Sequence, residues 1–507
     1  MNPLAGIGYG FSIAMGLENL VAALAGAFIG TAVGILPGLG PTVVIALLLI
    51  PTMSMKAETG LIMLGGIYFG TQYGDSLSAI LMGVPSEAPS VVIGIDGYQM
   101  AKKGRAGAAL AVAAVGSFIG ASIGLLGLTF VAAVISRGAL AFGPPEYFCT
   151  ALVGLFILVR VSSTSVFAGM LPLAFGVLLT TVGTDPIAGT PRFTFNILDL
   201  TLGIDLVPMV MGIIGMAEMF AIAASPRGLP KPTAVIFRKL LPTWREWRDA
   251  IPAAFRGSLM GFFLGLLPGP VLTLATFASY RLEKWLAPTE VGSGSVRAVA
   301  GPKAADDAAI SGCLVPLMAL GIPFTSTAAV LYAGLLLHGV QPGPLLMTEH
   351  PEIFWGLVAA MYIGNLALLI LNFPLVGLWV NVLRIPQPIL SAALVILMLI
   401  GSYSLRNSTL DMVVVLFAGL VGYIMKQVNL DRTLVILGLV LGPILESNFR
   451  RSLEMRRGDI LIFAQRPITR VLLLILLVVY ILPAIWGPVW RRLRPSVAPS
   501  HEEKPGV

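Results

Sequence analysis

Apolar runs long enough to cross a lipid bilayer recur along this chain, and no other feature constrains its fold as tightly. Residues 60–82, 108–135, 205–224, 353–382 and 471–490 each approach or exceed the roughly 20 residues that a helix needs to span the hydrocarbon core. Shorter or interrupted runs cover 20–36, 42–52, 146–161, 165–182, 257–280, 311–338, 387–403, 410–425 and 431–446. Roughly ten to twelve crossings are expected on that length rule. The runs are continuous rather than alternating, so the spans are helices and not barrel strands. An all-α polytopic membrane protein follows. Composition agrees: 57% of the 507 residues are hydrophobic and 11% charged, against about 25% charged in soluble domains. A soluble enzyme, a disordered chain and a disulfide scaffold are excluded. Cys149 and Cys313 lie in apolar stretches and read as small core residues.

The net charge of +7 does not point to nucleic acid. The cationic residues sit at the ends of apolar runs, as in positive-inside anchoring, with no basic stripe interleaved with stacking aromatics. The longest polar stretch, 226–256, holds Arg227, Lys231, Arg238, Lys239, Arg245, Arg248 and Arg256, with Trp244 and Trp247 among them. It reads as a basic cytoplasmic linker whose tryptophans lie at headgroup level. A second basic cluster, Arg450 to Arg470, and a third, Arg491, Arg492 and Arg494, flank the run 471–490. They leave the side of the C-terminus open. Residues 495–507 read as a disordered tail. No signal peptide is evident, since Glu18 is the first charged residue.

The linker separates two related halves, 1–225 and 257–494. GAFIGTAVGILPGLGPT in the first matches GSLMGFFLGLLPGPVLT in the second. Gly26, Gly30, Gly34, Pro37 and Gly38 pair with Gly257, Gly261, Gly265, Pro268 and Gly269, each 231 residues on. GVPSEAPSVV from Gly83 pairs with GIPFTSTAAV from Gly321, 238 residues on. Glycines every fourth residue permit close helix packing. Pro-Gly then stops the helix, and Pro41 or Pro270 suits the first turn of a new one. Each motif therefore reads as helix, break and half-helix, with free N–H groups and a positive dipole end at the break. Broken helices at corresponding places in two halves, inverted with respect to each other, mark a transporter's binding site. The candidate substrate-binding residues are Pro37, Gly38, Gly40, Ser86, Pro268, Gly269, Thr325 and Ser326.

Charges inside apolar segments are costly and so carry information. Asp75, Asp306 and Asp307 are candidate cation-coupling residues, with Lys303 beside the last two. Glu87 lies in the first-half break, and Asp96 reads as a cap or turn. His338 reads as an interface residue before a proton relay. An intramembrane enzyme is disfavoured. There are 3 histidines and no His-Glu-x-x-His, and Gln72 stands where an aspartyl protease motif needs glycine. A passive channel would need a ring of filter repeats, and none is visible.

At these residues the chain resembles the large membrane subunit of the tripartite tricarboxylate transporter family, the TctA type. The segments that carry the resemblance include ENLVAALAGAFIGTAVGILPGLGP, YFGTQYGDSLSAIL, DGYQMAKKGRAGAAL, GFFLGLLPG, GIPFTSTAAVL and VLGPILESNFRRSL, in the family's order. The resemblance implies a multi-pass bacterial inner-membrane secondary transporter that imports small carboxylates by symport with Na⁺ or H⁺. It implies a small four-span membrane subunit and a periplasmic solute-binding protein as partners, and no resident cofactor. The chain departs from the family's pattern at Ser86, Pro270, Phe324, Thr325, Lys303, Asp306 and Asp307, all at or near the candidate site. A transport-inactive paralogue acting as a membrane scaffold or sensor is the alternative.

Overall fold

The computed structural model describes residues 2–36, 40–163, 165–185, 187–224, 241–383 and 385–493. Among them the chain is helical apart from short turns and one small antiparallel hairpin, β1 (Gly183–Thr184) with β2 (Pro191–Arg192). The N-terminal helices are α1 (Pro3–Ala14), α2 (Leu17–Gly34), α3 (Pro41–Thr52), α4 (Ala57–Met82), α5 (Ala88–Met100), α6 (Ala106–Ala139), α7 (Pro144–Ser162), α8 (Val166–Leu179) and α9 (Leu206–Ala224). There follow α10 (Trp244–Gly265), α11 (Val271–Leu286), α12 (Val296–Leu320), α13 (Ser326–Leu337), α14 (Pro351–Val382), α15 (Gln387–Arg406), α16 (Thr409–Gln427), α17 (Thr433–Met455) and α18 (Pro467–Leu493). The protein is an all-α polytopic membrane protein.

Eight helical segments among the described residues are long and apolar enough to cross a bilayer, fewer than the ten to twelve expected. The difference has a physical source. Helices α4 and α12 run for 26 and 25 residues, about 39 and 37 Å at 1.5 Å per residue, but they carry the buried polar side chains Gln72, Asp75, Lys303, Asp306 and Asp307. Helices α3, α8 and α13 are apolar but short. Cys149 and Cys313 are buried free thiols, as read from their surroundings.

The glycine stripes set close backbone packing in both halves. The inner faces of Gly26, Gly30 and Gly34 on α2 lie against the backbone carbonyls of Met63, Ile67 and Thr71 on α4. Those of Gly257, Gly261 and Gly265 on α10 lie against Gly301, Ala305 and Ala309 on α12. These two helix pairs are the most extensively packed in the chain. The glycines are offset by 231 and their partners by 238, the spacings of the sequence motifs. Lipid tails offer no hydrophobic drive between helices, so backbone-to-backbone approach supplies dispersion contact that larger residues would prevent. Helix α6 joins in the same way, with Gly116 and Gly120 against Ala300 and Ala304.

The ends of α4 and α12 are built alike. Each stops at a left-handed glycine, Gly83 (φ 68°, ψ 22°) and Gly321 (φ 71°, ψ 25°). This conformation is open to glycine at little steric cost. Four residues on, Glu87 (φ −131°, ψ 161°) and Thr325 (φ −130°, ψ 155°) begin α5 and α13.

Of the 226–256 linker, residues 226–240 lie outside the described residues, as does the tail from 494 onward. From Trp244 the chain is already in α10, continuous with the glycine stripe, so the second half's first helix begins well before residue 257. A capping box explains this start: the Thr243 N–H donates to Glu246 Oε2 at 2.8 Å. Arg105 fixes the other carboxylate oxygen of Glu246.

The connection from α8 to α9 is stapled to α17 by Asp185. Its carboxylate accepts the N–H groups of Ile187 (2.8 Å) and Ala188 (3.1 Å) and the Arg450 guanidinium. The Ile187 and Ala188 N–H bonds first, then Arg450 and Arg192, hold this carboxyl down at about 2. A depressed carboxylate stabilises the fold above its unfolded value of about 3.9 and loses that effect as pH falls through its folded value. The melting-temperature gap between wild type and Asp185→Asn should therefore be constant from pH 7 to about pH 4 and close toward pH 2. A gap that closes between pH 7 and pH 5 instead would assign it to another group. For the helix packing, Gly261→Val should lower stability by about 1–3 kcal/mol or more through overpacking. Gly364→Ala, where an added Cβ meets nothing within 4 Å, should be neutral or slightly stabilising in the same melting assay.

Candidate functional site

Five helices begin on one cavity. Its wall takes Gly40 and Thr42 from the start of α3, Glu87 and Ala88 from α5, and Pro270 and Val271 from α11. It takes Thr325, Ser326 and Thr327 from α13, and Arg432 and Thr433 from α17. The cavity volume is about 380 Å³, within the range of small-molecule sites, about 300–1,000 Å³. Helix N-termini carry unsatisfied N–H groups and partial positive charge, so their convergence builds an anion-binding environment. Two other cavities, of about 390 and 790 Å³, flank the C-terminal part of α17. They draw on the 179–206 and 339–349 connections and hold none of the candidate site residues.

Of the eight candidate substrate-binding residues, Gly40, Ser86, Gly269, Thr325 and Ser326 line the five-helix cavity. Pro268 does not, and Pro37 and Gly38 lie outside the described residues. The two halves meet through hydroxyls: Thr42 Oγ1 hydrogen-bonds Thr327 Oγ1 at 2.8 Å and Ser326 Oγ at 3.2 Å. Thr325 caps its own helix, its Oγ1 accepting the Ala328 N–H at 3.2 Å. Its hydroxyl proton stays free to donate outward.

Asp75 is fully engaged at the entry of α5. Oδ1 accepts the Ser86 N–H at 2.6 Å, and Oδ2 accepts the Ser90 hydroxyl at 2.5 Å. Asp306 and Asp307 close on Lys303, whose Nζ lies 3.4 Å from Asp306 Oδ2 and 3.0 Å from Asp307 Oδ1. The ammonium also donates to the Gln72 carbonyl of α4 at 3.2 Å. All three charged side chains are buried. Asp306 Oδ1 and both side-chain polar atoms of Gln72 complete no hydrogen bond. Tyr68 on α4 lies between this group and the cavity, which it lines, within electrostatic reach of Glu87 and Asp306. Four acids thus stand against one lysine, leaving the cluster in need of protons or cations.

Asp96 is the turn cap that its setting suggested. It accepts the N–H groups of Gly292, Gly294 and Ser295 and the Tyr280 hydroxyl. His338 ends α13 and packs on Gly60 at the start of α4.

Sequence reading missed Thr42, Tyr68, Glu218 and Arg432. The first two are uncharged residues within apolar runs. The other two belong to α9 and α17, outside the repeated motifs. Asp431-Arg432-Thr433 at the head of the run 431–446 is a helix-start signal, and the Thr433 N–H does bond Asp431 Oδ1 at 2.9 Å. Nothing in it marked which cavity that start would face. Arg432 Nη2 bonds Glu218 at 2.9 Å, and Lys426 holds the other Glu218 oxygen at 2.5 Å.

Residues 20–437 match the model of the tripartite tricarboxylate transporter TctA family. The chain belongs to the TctA family. A relative from Agrobacterium vitis, an uncharacterized 52.8 kDa protein in the TAR-I ttuC' 3' region, is 41% identical over 495 residues, 96% of this chain and 97% of its own length. A shorter one from the same organism, an uncharacterized protein in the TAR-II ttuC' 3' region, is 43% identical over 230 residues, 44% of this chain and 95% of its own length. No solved structure matches the chain. TctA is a family of transporters rather than enzymes, and the polytopic helical fold described above suits it.

In this TctA-family protein Lys303→Met should destabilise by about 3–5 kcal/mol, because it strands two buried carboxylates. Lys303→Met combined with Asp306→Asn and Asp307→Asn should regain most of that. Melting of the purified variants checks it, and equal loss in the single and triple variants would show that the three side chains are not one ionic unit.

Proposed function

We propose that the chain is the large transmembrane subunit of a binding-protein-dependent secondary transporter of the bacterial inner membrane. It imports a small dicarboxylate or tricarboxylate down a cation gradient. The observation that carries this reading is the convergence of five helix N-termini on one cavity. Each end offers about half a positive charge, which suits a carboxylate that must leave water. The acid cluster behind Tyr68 supplies the other half of the mechanism. Asp75, Glu87, Asp306 and Asp307 exceed Lys303 by three charges, so anion entry is favourable only when Na⁺ or H⁺ comes with it. The partners on this reading are a small four-span membrane subunit and a periplasmic solute-binding protein.

An inverted relation between 1–225 and 257–494 fits this mechanism, and two reciprocal contacts support it. The end of α5 meets the start of α12 through Asp96 and Ser295 (2.8 Å). The end of α13 meets the start of α4 through His338 and Gly60. With that arrangement α4 and α12 run antiparallel and cross where Lys303 reaches Gln72. Two halves so disposed can rock about a fixed central site.

The test is uptake of candidate carboxylates into vesicles holding both membrane subunits, with binding protein added outside. Uptake should require all three proteins and a cation gradient. Gly269→Leu should abolish it without loss of membrane insertion, since Gly269 lines the cavity at φ 147°, where side chains are strained. Asp306→Ala with Asp307→Ala should lose uptake at low cation concentration. Transport that needs neither gradient nor binding protein sinks the mechanism. A chain that assembles with its partners yet moves no carboxylate is the scaffold instead.

A further inference from the structure

The cavity is not electrostatically uniform, and its helix ends divide into two kinds. Three are already met by the chain's own acids. The Glu87 carboxyl sits against Gly40 at the start of α3. Asp75 holds the Ser86 N–H at the entry of α5, and Asp431 accepts the Thr433 N–H of α17. The other two are not. Helix α11 starts at Pro270 with no side-chain cap, and α13 is capped by the neutral Thr325 hydroxyl. The uncompensated positive ends therefore both belong to the second-half breaks.

Two further groups on the cavity have donors to spare. Arg432 is the basic side chain on its wall. One arm is fixed to Glu218, and Nη1, itself buried, has no partner. Tyr68 is 1% exposed, and its hydroxyl has only a weak contact with Thr327, whose own hydroxyl is paired with Thr42. A buried donor left unmade costs free energy, which an arriving acceptor restores. Charge follows the same division. Around α9 and α17, Glu218 and Asp431 are balanced by Lys426 and Arg432, whereas the four acids near α4 and α5 face Lys303 alone.

We infer that the cavity has a dedicated carboxylate subsite, made by the free arm of Arg432, the Tyr68 hydroxyl and the open N-termini of α11 and α13. The acid-lined α3 and α5 end faces the accompanying cation. The assignment rests on the carboxylate reading above and names the residues that give it direction. Arg432 anchors one substrate carboxylate, and Glu218 presents the guanidinium so that its second arm is available. Lys426 keeps Glu218 paired when Arg432 is altered, so the variant is not left with a stranded carboxylate.

The experiment is binding of succinate, malate, tartrate and citrate to the purified full-length chain in saturating Na⁺ and at both neutral and mildly acidic pH, by calorimetry and by ligand-induced shift in melting temperature. For the acid that wild type binds, Arg432→Gln should weaken affinity about 10- to 100-fold, as loss of a charge-assisted bond does. Arg432→Lys should keep the charge but not the planar fork and fall between the two. Tyr68→Phe, nearly isosteric, should weaken binding about 3- to 10-fold with the ligand-free melting temperature unchanged. Lys426→Gln, which touches Glu218 from outside the cavity, should stay within about twofold of wild type. Wild-type affinity in both Arg432→Gln and Tyr68→Phe overturns the subsite and leaves the carboxylate reading standing. If Arg432→Gln does not fold, Arg432→Lys and Tyr68→Phe decide it. Absence of any carboxylate binding by wild type removes the transport reading and the subsite together.

Discussion

A helix broken at membrane depth must keep its freed N–H and C=O groups away from lipid. That constraint explains why the breaks of this chain collect around one place. The starts of α3, α5, α11, α13 and α17 would each be intolerable on the lipid face. Gathered around one cavity, three of them are met by Asp75, Glu87 and Asp431, and the Thr42 and Thr327 hydroxyls pair across it. The same groups make the space polar. A binding cavity is thus the cost-free location for irregular backbone, and the fold and the site are one solution to one problem.

The ionic cluster belongs to the same solution. Lys303, Asp306 and Asp307 follow a helical spacing of three and four residues, so a single face of α12 carries them. Their burial is tolerable because one ammonium pairs with both carboxylates. The lysine then reaches across to α4, where the Gln72 carbonyl accepts it. Charge in the core ties together the two helices that glycine packing could not join.

How much of this was legible in the sequence follows from which signals are local. Apolar run length and continuity gave the helical membrane fold, because spanning is a property of a segment by itself. Glycine spacing and Pro-Gly punctuation gave the breaks at Gly40, Ser86, Gly269, Thr325 and Ser326, because dihedral preference is local too. Run length did not fix the number of spans: eight apolar helices among the described residues are long enough to cross, while α4 and α12 have the length but carry buried charge. Tyr68 and Arg432 were out of reach for a different reason. A tyrosine in an apolar run and an arginine at a helix start have dozens of ordinary uses. Their meaning depends on α4 and α17 arriving at a space defined by other helices, which no local pattern records. Asp75 was legible as costly but not as a cap, because its partners Ser86 and Ser90 lie beyond a chain reversal.

The glycine-locked pairs also have a mechanical consequence. Backbone seated on backbone leaves no side-chain slack, so α2 with α4, and α10 with α12, behave as two stiff beams. Between α4 and α12, and between α3 and α13 beside them, the contacts are of another character: one ammonium on a carbonyl, and the Thr42 hydroxyl on Ser326 and Thr327. Hydroxyls and ammonium groups can exchange partners within a turn of rotation, whereas interlocked glycine faces cannot slide. Helix α6 is locked to the second beam by Gly116 and Gly120, so a displacement of α4 against α12 carries α6 with α12 and opens along the joint beside the cavity. The site is placed where the molecule yields, and whatever occupies it acts as the shim that decides how far the joint can close.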